Sequence, residues 1–142
     1  MPLRVEIVTP SRKAFEGQAD AVQLPGWLGE MGVLPRHAPL LTLTRAGVLT
    51  LTGASGKLLV DKEYVELTHA RRLILGPGFA EVGPDRVTLL VDLCEDAQGV
   101  DKEAAAQALN KAEAEMAHED SNSLAWRLAS KAADLARARL AA

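Results

Sequence analysis

The feature that most restricts how this chain can fold is a change of residue alphabet at position 100. All 11 glycines and all 7 prolines stand at or before Gly99. Valine, isoleucine and threonine occur 20 times in residues 1–100 and never in residues 101–142. Alanine reverses the bias, with 9 copies in the first 100 residues and 15 in the last 42. β-branched side chains suit pleated strands, alanine is the best intrinsic helix former, and Gly and Pro punctuate turns. The chain therefore divides into a β domain over residues 1–97 and a helical segment over residues 98–142.

Within the β part, apolar and polar residues alternate. Leu3, Val5 and Ile7 share one face against Arg4 and Glu6; Val87, Leu89, Val91 and Leu93 alternate with Thr88, Leu90, Asp92 and Cys94. Further strands are predicted at AVQL (21–24), GVLTLTG (47–53), KLLVD (57–61), YVELT (64–68) and RLIL (72–75). Turn signals GASGK, GPG and GPDR lie between them, and Arg71 and Arg72 are expected on a solvated turn. Many short strands at this spacing predict an antiparallel sandwich or barrel, and the missing βαβ rhythm argues against a doubly wound nucleotide fold.

The helical part carries its own start signals. Asp101 is placed to cap a first helix, with Glu103 in the first turn and Ala105, Leu109, Ala112 and Met116 on one face. The run HEDSNS breaks that pattern, and Ser121 or Ser123 caps a second helix carrying Leu124, Leu128, Ala132 and Leu135. So short a turn predicts an antiparallel α-helical hairpin. Asp101 to Asp120 holds six acids and two lysines, whereas Arg127, Lys131, Arg137 and Arg139 stand against Asp134 after it. Exposed pairs are worth about 0–1 kcal/mol each, and alanine faces bury little area at roughly 25 cal/mol per Å². Two readings stay open: a hairpin that opens and repacks against something else, and a hairpin docked permanently on the β domain.

Several function classes can be set aside. A net charge of −3 and a pI near 5.6 do not make a nucleic-acid surface. No apolar run reaches membrane-spanning length, and MPLRVEIVTP lacks the apolar core of a signal peptide, which predicts a protein kept inside the cell. The lone cysteine, Cys94, allows no internal disulfide and reads as a packed strand residue.

The segment LPGWLGEMGVLPRHAPLL (24–41) looks at first like the frame of an active site around Glu30 and His37. Its glycines are spaced GxxGxxG, however, and Pro35 and Pro39 remove the amides that a phosphate cradle needs. No Ser or Cys nucleophile stands near Glu30 and His37, and His37, His69 and His118 have no metal-ligand spacing. His37 fits a hydrogen-bonded structural role and His118 a helix C-terminus. No catalytic residue, cofactor or metal is expected. The segment reads as a stiff irregular loop whose apolar tip, Trp27 and Leu28, is shaped for docking. A hydrolase using Glu30 and His37, or a free-standing β-sandwich binding module with a helical tail, are the competing classes.

The runs VEIVTP (5–10), GEMGVLPRHAPLL (29–41), AGVL (46–49), GFAEV (78–82), VTLLVDLCE (87–95) and VDKEAAAQA (100–108) carry a resemblance. In this order they resemble the ε subunit family of bacterial F-type ATP synthases, with its chloroplast ε and mitochondrial δ relatives. The resemblance implies an N-terminal antiparallel β-sandwich of about ten strands and a C-terminal helical hairpin, without catalysis of its own. It implies that the sandwich joins the γ subunit to the ring of c subunits. Trp27, Leu28 and Glu30 fall at the c-ring contact, and His37 and Pro39 near γ. It further implies that the hairpin can extend along γ, so that Arg127, Lys131, Arg137 and Arg139 engage acidic segments of the β subunits, beside α, and inhibit ATP hydrolysis. The expected location is peripheral, on the cytoplasmic side of a bacterial inner membrane, touching the membrane only through the c ring.

Some family members bind ATP under the folded hairpin through a motif I/L-D-x-x-R-A. Here the stretch is Val100-Asp101-Lys102-Glu103-Ala104-Ala105, so Ala104 replaces the arginine. Glu95, Asp101 and Arg139 match positions of that site, while Leu135 stands where a second arginine is often found. Losing two charge-assisted contacts at about 1.5–3 kcal/mol each predicts weak or absent ATP binding.

Overall fold

The computed structural model describes residues 2–60 and 62–142; Asp61, at the end of the predicted KLLVD strand, lies outside the described residues. The first part of the chain forms β1 (Leu3–Val8), β2 (Lys13–Ala19), β3 (Ala21–Gly26), β4 (Gly29–Val33), β5 (Leu40–Thr44) and β6 (Gly47–Thr52). It continues as β7 (Ser55–Val60), β8 (Glu63–Leu67), β9 (Arg71–Leu75), β10 (Gly78–Val82), β11 (Arg86–Val91) and β12 (Cys94–Asp96). Two helices follow, α1 (Lys102–His118) and α2 (Leu124–Ala141). The alphabet change at residue 100 thus falls between the last strand and the first helix.

One hydrogen-bonded path runs β12-β9-β6-β3-β5-β10-β11-β1-β2-β7-β8, with β4 added to β3. At β3 and β5 the ladder narrows to the single pair Gly26↔Thr44, where it passes from one layer to the other. Phe15, Leu58 and Leu89 from the longer layer meet Leu24, Leu49 and Leu73 from the shorter one in one core. The fold is therefore the expected sandwich, with twelve strands among the described residues where about ten were expected. It is antiparallel except for β1 beside β11, which run parallel from Arg4↔Arg86 to Val8↔Leu90. The period-2 pattern does its predicted work at β1, where Leu3, Val5 and Ile7 are fully buried.

Three readings of the sequence need correction. The alternation over 87–94 does not make one strand: β11 pairs with β10, whereas Cys94 pairs across with Leu75 of β9 in the other layer. The chain changes layers at Asp92 and Leu93, which breaks the ladder. Arg71 and Arg72 lie on β9, not on a turn, in register with Leu51 and Thr50 of β6. The supposed irregular loop 24–41 is mostly strand. β3 and β4 form a hairpin closed by Trp27 and Leu28, from Gly26↔Gly29 back to Val22↔Val33. Gly29 sits there at φ +133, a conformation that L side chains rarely adopt. Irregular backbone remains at residues 34–39.

The helices start as their caps dictate. Asp101 Oδ1 accepts the Ala104 N–H at 3.0 Å, and Ser123 Oγ accepts the Trp126 N–H at 3.1 Å. His118 ends α1. Ala105 and Ala112 of α1 are buried, and Leu109 and Met116 are half-buried, as the spacing predicts. On α2 the buried face is different: Ala129, Ala133, Ala136 and Ala138 are covered, while Leu124 and Leu128 are exposed. α2 packs against α1 and also rests on β6 and β9, so it is hemmed in on two sides. Methyl side chains let backbones approach there, while Leu135 and Leu140 are only half-buried and Ala132 is exposed.

Candidate docking faces and the seat of the hairpin

The first surface is the β3–β4 tip. Leu28 is 97% exposed and Trp27 is half uncovered, with the Arg45 guanidinium 4.9 Å from its ring centroid. Glu30 points its carboxylate to Gln23, whose Nε2 donates at 3.3 Å. The tip is tied to the next strand by the Trp27 N–H, which donates to the Leu43 carbonyl at 2.9 Å.

The second surface was not foreseen. Phe79 on β10 stands in register with Leu43 of β5 on one side and Leu90 of β11 on the other. All three are exposed, as is Leu41. They form an apolar row on the outward face of the longer layer. The readable signal is that Leu90 occupies the polar phase of its strand, between Thr88 and Asp92. A contiguous exposed apolar row, unlike a single exposed leucine, makes this face a candidate contact surface.

His37 and Pro39 lie in the link at residues 34–39. The Arg36 N–H donates to the Pro84 carbonyl at 2.6 Å, fastening the link to the turn before β11. The His37 ring Nδ1 bonds the Ala38 carbonyl at 2.7 Å. Glu30 and His37 thus have separate partners and do not form a pair.

The third region is where α2 sits. Arg139 meets Glu95 in a two-point bond, with Nε to Oε2 at 3.0 Å and Nη2 to Oε1 at 2.5 Å. Those bonds hold the guanidinium pKa above its ordinary value against the opposing effect of burial. Lys131 pairs with Asp92 at 2.7 Å, and Arg137 pairs with Glu113 at 3.3 Å and Asp134 at 3.1 Å. Arg127 makes no ion pair among the described residues. At the end of α2, Arg72 Nη2 donates to the Ala141 carbonyl at 2.8 Å and Lys102 Nζ to that of Leu140 at 2.8 Å. Both cations complement the helix C-terminus.

Two cavities border this seat. One, of about 670 Å³, is lined by Glu95, Asp101 and Arg139 together with Cys94 and Ala104. The structure therefore brings the three matching nucleotide-motif positions together, although Glu95 itself occupies Arg139. The other, of about 940 Å³, lies between the tip and α2 and is lined by Trp27, Glu30, Arg45, Arg72, Lys131 and Arg137 among others.

Fold and surfaces define a β-sandwich with a two-helix appendage, and no constellation of reacting groups stands among the described residues. Residues 2–97 match the family described as ATP synthase, Delta/Epsilon chain, beta-sandwich domain. The ATP synthase epsilon chain of Dehalococcoides mccartyi is 40% identical over 115 residues, covering 81% of this chain and 73% of that one. The ATP synthase epsilon chain of Herpetosiphon aurantiacus is 36% identical over 141 residues, covering 99% and 87%. A chain of the Euglena gracilis mitochondrial ATP synthase, solved as OSCP/F1/c-ring, superposes with a TM-score of 0.76 at 18% identity, covering 99% of this chain and 80% of that one. This chain belongs to the ATP synthase epsilon chain family. Its relatives are named as a chain of a synthase, in agreement with the expected non-catalytic subunit. Among the described residues, no helix is long and apolar enough to cross a membrane.

Proposed function

We propose that the chain serves in the central rotor of a proton-translocating F-type ATP synthase, joining γ to the c ring and regulating ATP hydrolysis through its C-terminal helices. The observation that carries this reading is the uncovered apolar row Leu43–Phe79–Leu90, adjoining the exposed Trp27–Leu28 tip. A rotor element has to grip two partners at once, and these adjoining faces offer that grip. The structural relative solved within an F1/c-ring assembly supports the same reading.

In this role Trp27, Leu28 and Glu30 meet the polar loops of the c ring. His37, Pro39 and the apolar row take γ. Arg127, Lys131, Arg137 and Arg139 engage acidic segments of the β subunits, beside α, when the hairpin extends. The protein sits peripherally on the cytoplasmic side of a bacterial inner membrane, held there through the c ring. The deciding experiment compares ATP hydrolysis by the assembled enzyme containing the full chain and a chain ending at Gly99. A faster rate with the shortened chain is expected. Equal rates would sink the inhibitory role and leave the coupling role standing.

A further inference from the structure

Three of the four cations assigned to an acidic partner are already bound to acids of this same chain. Lys131 is held by Asp92 and Arg139 by Glu95, both on the sandwich, while Arg137 is held by Glu113 of α1. Asp92 lies in the crossing between β11 and β12, and Glu95 is the middle residue of β12 just beyond it. Their spacing suits the helix above them. Lys131 and Arg139 are eight residues apart, about 12 Å along a helix, and three residues of extended chain reach about 10 Å. The Arg139–Glu95 pair is the better shielded, with side chains 30% and 31% exposed against 61% and 36% for Lys131–Asp92. Besides these pairs and the bonds from Arg72 and Lys102 to its last carbonyls, the buried side chains of α2 are all alanines, which contribute little per residue.

We infer that Asp92 and Glu95 act as a built-in acidic decoy. They seat α2 by occupying the cations that an acidic partner surface takes, so seating and partner binding exclude one another. This inference rests on the proposed role of those cations. It makes the resting position of the hairpin a competition between two acidic surfaces, one internal and one external, and it requires no nucleotide. It also makes the seat sensitive to ionic strength, since partly exposed pairs are screened by salt.

The test uses the full chain and hydrogen exchange of the α2 amides. Glu95→Arg is expected to speed their exchange roughly fivefold, and adding Arg139→Glu to restore protection. Unchanged exchange in the single variant, or no recovery in the swapped pair, overturns the proposal. The swapped pair also decides the matter if Glu95→Arg loosens the sandwich. A glutamate-rich decapeptide supplies the second readout, by calorimetry at low salt. It is expected to bind the Asp92→Asn/Glu95→Gln chain several-fold more tightly than the parent. Equal affinities, including no binding to either chain, refute the decoy. Both measurements are made without the synthase, so they stand apart from the hydrolysis comparison that tests the role itself.

Discussion

Arg71 on β9 and Asp96 at the end of β12 form an ion pair at 2.5 Å, with side chains only 20% and 12% exposed. The other oxygen of Asp96 accepts the Gln98 N–H at 3.2 Å and caps the 3-10 turn Ala97–Gly99. One carboxylate therefore binds the last strand to the sheet and shapes the exit from it. Removing one partner of a well-shielded pair leaves the other charge unsatisfied. Asp96→Ala should lower the stability of the sandwich by about 1–3 kcal/mol in urea unfolding. A loss below about 0.5 kcal/mol, the range of ordinary surface changes, would show that the pair is dispensable.

Phe79 is half exposed and sits in the middle of the apolar row. Phe79→Glu should change the unfolding midpoint of the isolated chain very little, within about 0.5 kcal/mol. Co-purification with γ should fall sharply in the same variant, because a carboxylate would be desolvated at the centre of the interface. Retained co-purification would remove the row from the γ contact.

Burial pushes the Cys94 thiol from 9.0 up to about 12, with the neighbouring Glu95 and Asp96 charges adding to the rise. A raised acid pKa means that the folded chain keeps this proton while the unfolded chain gives it up. The contribution is complete below about pH 9 and is lost as the pH climbs towards 12. Melting temperatures of the parent chain should therefore fall more steeply between pH 8 and 11 than those of Cys94→Ala. Parallel curves would contradict the assignment. The same burial should slow thiol labelling at pH 8 relative to the denatured chain.

Ala104 stands in the cavity that holds Glu95, Asp101 and Arg139, and Arg139 is engaged by Glu95. A triphosphate entering there would have to displace an acid from the one arginine lining it. Calorimetry on the isolated chain should find no ATP binding tighter than millimolar. A dissociation constant well below that would mean that Arg139 exchanges partners readily.

Much of the architecture is written in local patterns. β-branched residues, alanines and caps place the strands before residue 97, the helices after 101 and the Asp101 cap of α1, while for α2 the pattern allows Ser121 or Ser123 and the cap is Ser123. What is not local is not legible. β2 reads KAFEGQA, without a clean alternation, and is a strand because β1 and β7 pair with its two edges. Arg71 and Asp96 lie 25 residues apart, and Glu95 and Arg139 lie 44 apart. Such pairs leave no periodic trace. Leu124 and Leu128 look like a core stripe, but the two-sided packing of α2 selected the alanine face instead. The exposed tip was readable from Trp27 and Leu28 between glycines, whereas the apolar row needed the cross-strand register of β5, β10 and β11 to appear.

The alanine face of α2 has one more consequence. An alanine has no χ rotamers to lose, so covering Ala129, Ala133, Ala136 and Ala138 freezes no side-chain motion. Uncovering them releases none and wets little oily surface. In the proposed exchange of partners, the alanine part of this joint would separate and re-form with no side chains to re-sort. The helix is thus held by charges that can be traded and by methyl groups that keep no memory of where they were.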